Sequence, residues 1–235
     1  QLIARKVDGI LVWPLDSNAL APVLRKAKQA GIPVVGVDVN MEAPDPGPDW
    51  VSQIWLRRDL MSYMQVKEAA SLLPEGGKFV QMGFAVPVPT IEKQVERAAF
   101  WGEEFGLTPL GRANNPSDDI AGGEQTMTQL LGKYPDADGL IAYNEESATG
   151  ANAAARITGN RDMPLIGNNG GSLGFSSVRD GKIAATVQMQ IPDAARYGIW
   201  ALYTAIQGGD VPKTILTGEP KLVSKETVDS VPTWD

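Results

Sequence analysis

The sequence predicts an α/β fold: parallel strands with helices covering both faces of the sheet. Two observations carry this. Short apolar runs bounded by turn residues alternate along the chain with stretches whose apolar residues recur at helical spacing. Such alternation marks strand–helix–strand units, which build parallel sheets. The chain also has the material for it. It has 235 residues, 43% of them hydrophobic, enough for one large domain or two smaller ones with a sizeable core.

The elements follow in order. QLIARKVDGILVWP reads as the end of a helix running into a strand. It lacks the basic start, apolar run and small-residue cleavage site of a signal peptide. The chain is therefore expected to begin inside a fold, with its first part missing. GILVW (Gly9 to Trp13) is a buried strand. In PLDSNALAPVLRKAKQAGIP, Asp16 or Ser17 can cap a helix start. Ala19, Val23, Ala27 and Ala30 are expected to share its buried face, and Gly31 with Pro33 ends it. VVGVDV is a strand again. NMEAPDPGPDW (Asn40 to Trp50) has three prolines and one glycine, which forbid helix and central strand. It is a loop near a lobe boundary or an ordinary irregular surface loop. Lys78 to Gly83 is a strand, followed by a helix from about Thr90 to Phe105. Helix Ile120 to Lys133 leads into strand Gly139 to Tyr143. Helix Glu146 to Ile157 leads into strand Pro164 to Gly167. Helix Leu173 to Asp180 leads into strand Ala184 to Gln190, and a long helix runs from about Pro192 to Gln207.

Composition removes whole classes of chemistry. The chain has no cysteine and no histidine. Thiol nucleophiles, Ser-His-Asp triads and Cys or His metal sites are absent with them. Lys plus Arg is 21 against 28 Asp plus Glu, a net charge of −7 with no basic run. That is a poor match to nucleic acid or to anionic membranes. GNNGG is not the G-x-G-x-x-G dinucleotide pattern, and there is no G-x-x-x-x-G-K-[ST] phosphate loop.

In open parallel sheets, ligands sit beyond the carboxyl ends of the strands. The residues there are Asp16, Asp38, Asn40, Phe84, Asn144, Asn168, Asn169, Gln188 and Gln190. Amides both donate and accept, and carboxylates accept at two oxygens. The set suits a hydroxyl-rich sugar or polyol, and it suits no covalent chemistry. Each residue has a structural alternative. Asp16 can be a helix cap, Asn168–Asn169 a turn, Tyr143 core packing, and Arg57 and Arg58 solvated surface charges. Asp118–Asp119 could act as acid and base with Glu145 or Glu146, or simply start a helix with carboxylates well placed on its dipole.

VDGILVWPLDSNALAPVLRKAKQAGIPVVGVD, GLIAYNEESATGANAA, LIGNNG, DGKIAATVQMQIPDAARYG and KLVSKETVD, in that order, resemble periplasmic sugar-binding proteins of the ribose-binding type. These share their fold with the effector domains of lac-repressor-type regulators. The resemblance covers essentially the whole chain. It implies the type I periplasmic binding protein fold: two lobes, each a doubly wound parallel sheet, joined by crossing strands and closing on ligand by a hinge. It places residues 1–56 in an N-lobe lacking its first strand–helix–strand. Residues 57–190 form a C-lobe, 191–219 return to the N-lobe, and 220–235 form the tail and last crossing.

Residue by residue, the resemblance implies sugar contacts at Asp38, Arg97, Asn144, Asn169 and Gln190. Phe84, Asp118 and Asn168 are further candidates. The arginine that often follows the family's aspartate is Val39 here. Glu145 stands in place of the aspartate of its Asn-Asp pair, Asn169 in place of the aspartate of its Phe-Asp-Gly turn, and Asp118 in place of an aromatic contact.

The expected function is that of a substrate-binding protein of a carbohydrate ABC importer. It would bind a sugar or polyol, without cofactor or metal, and hand it to a membrane permease. The protein is expected as a monomer in the periplasm or at the cell surface, exported by a signal peptide outside this chain. The alternative is the ligand-sensing domain of a lac-repressor-type regulator. A third class, an enzyme on a doubly wound fold, finds no histidine, cysteine or nucleotide motif to work with.

Overall fold

A computed structural model describes residues 1–39, 45–160 and 162–234. Asn40 and the first part of the proline-rich loop lie outside the described residues. The chain divides into two compact units. One holds Gln1–Arg58, Val88–Thr90 and Gln190–Glu219; the other holds Asp59–Pro87, Ile91–Met189 and the chain from Pro220 onward.

In the first unit, strands β1 (Ile10–Val12), β2 (Val34–Val37), β3 (Ser52–Trp55) and β9 (Thr214–Leu216) form a parallel sheet in that order. Helix α1 (Ala21–Gln29) packs through Leu24 and Ala27 onto Val34 and Trp50. This corrects the expected face. Leu20, Leu24 and Ala27 point inward, while Val23 is 49% exposed and Ala19 and Ala30 are exposed too. The helix also starts later than its first polar residues suggest. Asp16 Oδ1 accepts from the N–H groups of Asn18 (2.8 Å) and Ala19 (3.3 Å), a turn ahead of the helix rather than a cap on it. Helix α7 (Ile191–Ile206) packs on β1, β2 and β3.

In the second unit the sheet order is β10 (Lys221–Ser224), β8 (Ala185–Gln188), β7 (Leu165–Asn169), β6 (Gly139–Ala142), β4 (Lys78–Phe84), β5 (Thr108–Asn115). Every pairing is parallel except β10 with β8. Successive strand residues face opposite sides, so the buried strands are apolar on both. Val80, Met82, Leu140 and Leu165 meet α4 (Ile120–Lys133), α5 (Glu145–Ile157) and α6 (Ser172–Arg179). Phe79, Ile141 and Ile166 meet α2 (Arg58–Leu72) and α3 (Pro89–Glu104). This is the α/β architecture of parallel sheets that the alternation predicts. Helices α4 and α5 come close because Gly150 has no side chain: a Cβ there would lie 2.0 Å from the Ile120 carbonyl oxygen.

Helix α2 and strand β5 are among the elements that escape the sequence pattern. Helix α2 buries Ser62 and Gln65 alongside Met61 and Val66, so its apolar period is interrupted. Strand β5 reads as loop because it carries Pro109, Gly111 and two asparagines. It is an edge strand, where proline is tolerated, and a register shift opposite Phe79 and Val80 absorbs the extra residue.

Candidate functional site

The carboxyl ends of the parallel strands collect polar side chains in each unit. In the first unit, Asp38 follows β2 directly and is 3% exposed. Its Oδ2 accepts from Arg58 Nε at 2.6 Å and from the Thr90 hydroxyl at 3.0 Å. Arg58 is thus no solvated surface charge. It is buried at the start of α2 and supplies, from another element, a cation beside the aspartate that Val39 cannot provide. Gln190 precedes α7 without capping it through its side chain, and its Nε2 is buried with no partner among the described residues.

In the second unit, the order of the strands reverses between β4 and β6, the point where such sheets open a crevice. Phe84 and Tyr143 stack there, ring centroids 5.5 Å apart and planes 16° from parallel. The Tyr143 hydroxyl and Asn144 Nδ2 both donate to Asp118 Oδ1, the second at 2.7 Å. Burial, and then the Asp118 carboxylate, push the Tyr143 hydroxyl well above the usual phenol range, so it stays a proton donor. Asn144 also caps α5, its Oδ1 accepting from the Ser147 N–H at 2.9 Å. Asp119 caps α4 through the Gly122 N–H at 2.7 Å. The Ser117 hydroxyl, and then that amide, hold its carboxyl below the usual range. Asp118 stands clear of the helix and faces Tyr143 and Asn144 instead. Glu146, next to Asp118, is half-buried with Oε2 unpartnered among the described residues. Desolvation first, then the Asp118 charge, raise its carboxyl.

Asn168 and Asn169 end β7. Asn168 is fully buried and its Oδ1 has no partner among the described residues; its Nδ2 lies 3.4 Å from Asn169 Oδ1. Gln188, at the end of β8, donates to the Pro232 carbonyl at 2.9 Å. Arg97 lies exposed on α3. Gln94, a turn earlier, is buried with Thr90 as a polar residue of that helix, its Nε2 3.4 Å from Gln65 Oε1.

Glu145 is named by the sequence as a possible acid or base and as a stand-in for the family's aspartate, but not among the candidate contacts. It is 2% exposed and accepts from the Gly170 N–H (2.6 Å), the Gly171 N–H (3.2 Å) and the Thr186 hydroxyl (2.8 Å). Burial pushes its carboxyl up to about 7, outweighing these three hydrogen bonds. The available signal was a longer acid where the family has an aspartate.

Among the described residues, five non-glycine residues have positive φ: Lys6, Asp38 (57°), Arg57, Asp118 (57°) and Asn169 (125°). Three of them are residues that the sequence marked as candidate contacts. Backbone held in that region stores about 1–3 kcal/mol each and persists where the surroundings over-determine it. Such strain concentrates at functional sites, which links these three positions by a property independent of the sequence argument.

A doubly wound fold with amides and carboxylates collected at the carboxyl ends of its strands is built as small-molecule binding proteins are. The chain belongs to the periplasmic binding protein family, whose domain model matches residues 1–210. It is 29% identical over 231 residues to the ribose import binding protein RbsB of Salmonella typhimurium, covering 97% of this chain and 72% of that one. It is 24% identical to the xylitol-binding protein of Mycolicibacterium smegmatis, over 97% of this chain and 64% of that one. Among solved structures, an ABC transporter solute-binding protein from Agrobacterium vitis with bound D-fucose superposes with a TM-score of 0.86. That pair is 25% identical, over 97% of this chain and 79% of the other. A periplasmic solute-binding protein from Actinobacillus succinogenes with bound D-allose has the same fold, with a TM-score of 0.86 at 22% identity over 98% and 83% of the chains.

Proposed function

We propose that this protein is the substrate-binding component of a carbohydrate ABC importer, binding a sugar or polyol and delivering it to a membrane permease from the periplasm. The observation that carries the reading is the polar set at the strand ends. Asp118, Asn144 and Asn169 in the second unit, and in the first Gln190, whose Nε2 has no partner among the described residues, offer both donors and acceptors and no nucleophile. The relatives named above support the import reading, and none of them supports the regulator. Asp38, Arg97, Asn144, Asn169 and Gln190 contact ligand hydroxyls, and the Phe84–Tyr143 stack offers an aromatic edge to a sugar ring. The protein acts as a monomer, and its export relies on a signal peptide.

Calorimetry against a panel of sugars and polyols tests this. Removing a buried partner of a ligand hydroxyl costs about 1–3 kcal/mol, roughly 5- to 150-fold in affinity. Asn169→Ala and Gln190→Ala are each expected to weaken binding by that factor. Unchanged affinity in both overturns the site assignment, and a panel without any binder overturns the function.

A further inference from the structure

We infer that Glu145 is a positioning residue for the loop after β7: it fixes the backbone of Gly170 and Gly171 and thereby aims Asn169. The inference rests on the reading of Asn169 as a ligand contact. The geometry is that of a peg between three elements. Glu145 opens α5, yet its carboxylate gathers two amides from the β7–α6 loop and the Thr186 hydroxyl from β8. Helix α6 leaves space for it, since a Cβ on Gly174 would lie 1.8 Å from Glu145 Oε1. The loop has little slack of its own. Gly170 sits at φ +77, and a Cβ there would come within 2.3 Å of Gln188. Asn169, at φ +125, keeps a backbone that an asparagine does not choose freely.

The two amides can only donate, and the Thr186 hydroxyl can donate or accept. The ionised form accepts from all three, whereas a protonated carboxyl keeps fewer and weaker acceptor sites for the two amides, even where the hydroxyl turns to accept its proton, and so loosens the loop. Glu146, its neighbour on α5, is the titratable group whose charge bears on it among the described residues. The β7–α6 loop, α6 and β8 present amides, a glycine and a hydroxyl at this place.

Hydrogen exchange at the Gly170 and Gly171 amides, followed by NMR on the whole chain without ligand, reads the peg directly. Protection factors are expected to rise with pH through a midpoint near 7 as Glu145 ionises. In Glu145→Gln the rise disappears. Thr186→Val keeps the side-chain shape but removes a donor that favours the charged form, so its midpoint moves upward. A general packing role would not move that midpoint. Where a panel sugar binds, affinity weakens about tenfold on the acid side of the midpoint in the wild type and stays flat in Glu145→Gln. Flat protection in the wild type, or an unshifted midpoint in Thr186→Val, overturns the inference, and both readings stand even if Glu145→Gln fails to fold. Titrating amides in a protein that binds no panel sugar would overturn the proposed function and leave the peg in place.

Discussion

At the scale of the residue, the buried pair Asp38–Arg58 shows what the sequence could and could not reveal. Asp38 was legible because it directly follows an apolar strand, where a carboxylate has no packing role. Arg58 was not legible: it follows another charged residue, Arg57, and nothing local tells the two apart. Only the assembled fold brings Arg58 Nε to 2.6 Å from the carboxylate and buries both. The pairing makes a sharp prediction. Arg58→Met leaves Asp38 buried with its charge uncompensated, and breaking a buried pair from one side destabilises by about 3–5 kcal/mol. Asp38→Asn in the same chain removes that charge, so the double variant is expected to recover much of the loss. Urea denaturation of the two single variants and the double one measures the coupling, and additive losses would contradict it.

At the scale of the element, periodicity located the strands and helices that are apolar on a face and missed those with buried polar work. Helix α2 is the clearest case, and Gln65 is the reason. Strands β6 and β7 pair only at Leu140 with Leu165 and Ile141 with Ile166. Beyond that, Gln65 Nε2 donates to the carbonyls of Ala142 (2.8 Å) and Gly167 (3.0 Å). A side chain from α2 thus takes over where the ladder stops, satisfying the two carbonyls while the strands part. The parting separates Tyr143–Asn144 from Asn168–Asn169, which a continued ladder would draw together. Gln65→Leu is of similar volume and removes the donor that the two buried carbonyls share; Gly167 keeps its place in the β7–β8 ladder, so the Ala142 carbonyl bears most of the loss. A buried acceptor deprived of its donor costs about 1–3 kcal/mol, so a loss of that size is expected by chemical denaturation, with the slope of the transition unchanged. A stability within error of the wild type would show that the strands simply close and re-pair.

At the scale of the whole molecule, fold class was readable because alternation, glycine and proline punctuation and composition all point one way. The site was only half readable, since its supports come from elements far apart in sequence: Thr186 and Gly170 converge on Glu145 from the other side of the chain order. That convergence sets stability and binding against each other. The Glu145 carboxyl, with an ordinary value of 4.5, is pushed up to about 7 in the folded protein. A carboxyl raised on folding contributes stability that is fully present below its unfolded value and is lost as pH rises through the folded one. The wild type is therefore expected to lose stability between roughly pH 4.5 and 7 from this group, on the order of 3 kcal/mol. Over the same span, the ionised carboxylate gains its third donor and the loop bearing Asn169 is set. Gln at position 145 cannot ionise, so its absolute stability is not the comparison; the pH slope is. Urea midpoints measured across that window should fall with pH more steeply in the wild type than in Glu145→Gln. Parallel curves would mean that the carboxyl is charged throughout the window. A steeper wild-type fall, alongside rising amide protection at Gly170 and Gly171, would show stability given up to hold the loop ready.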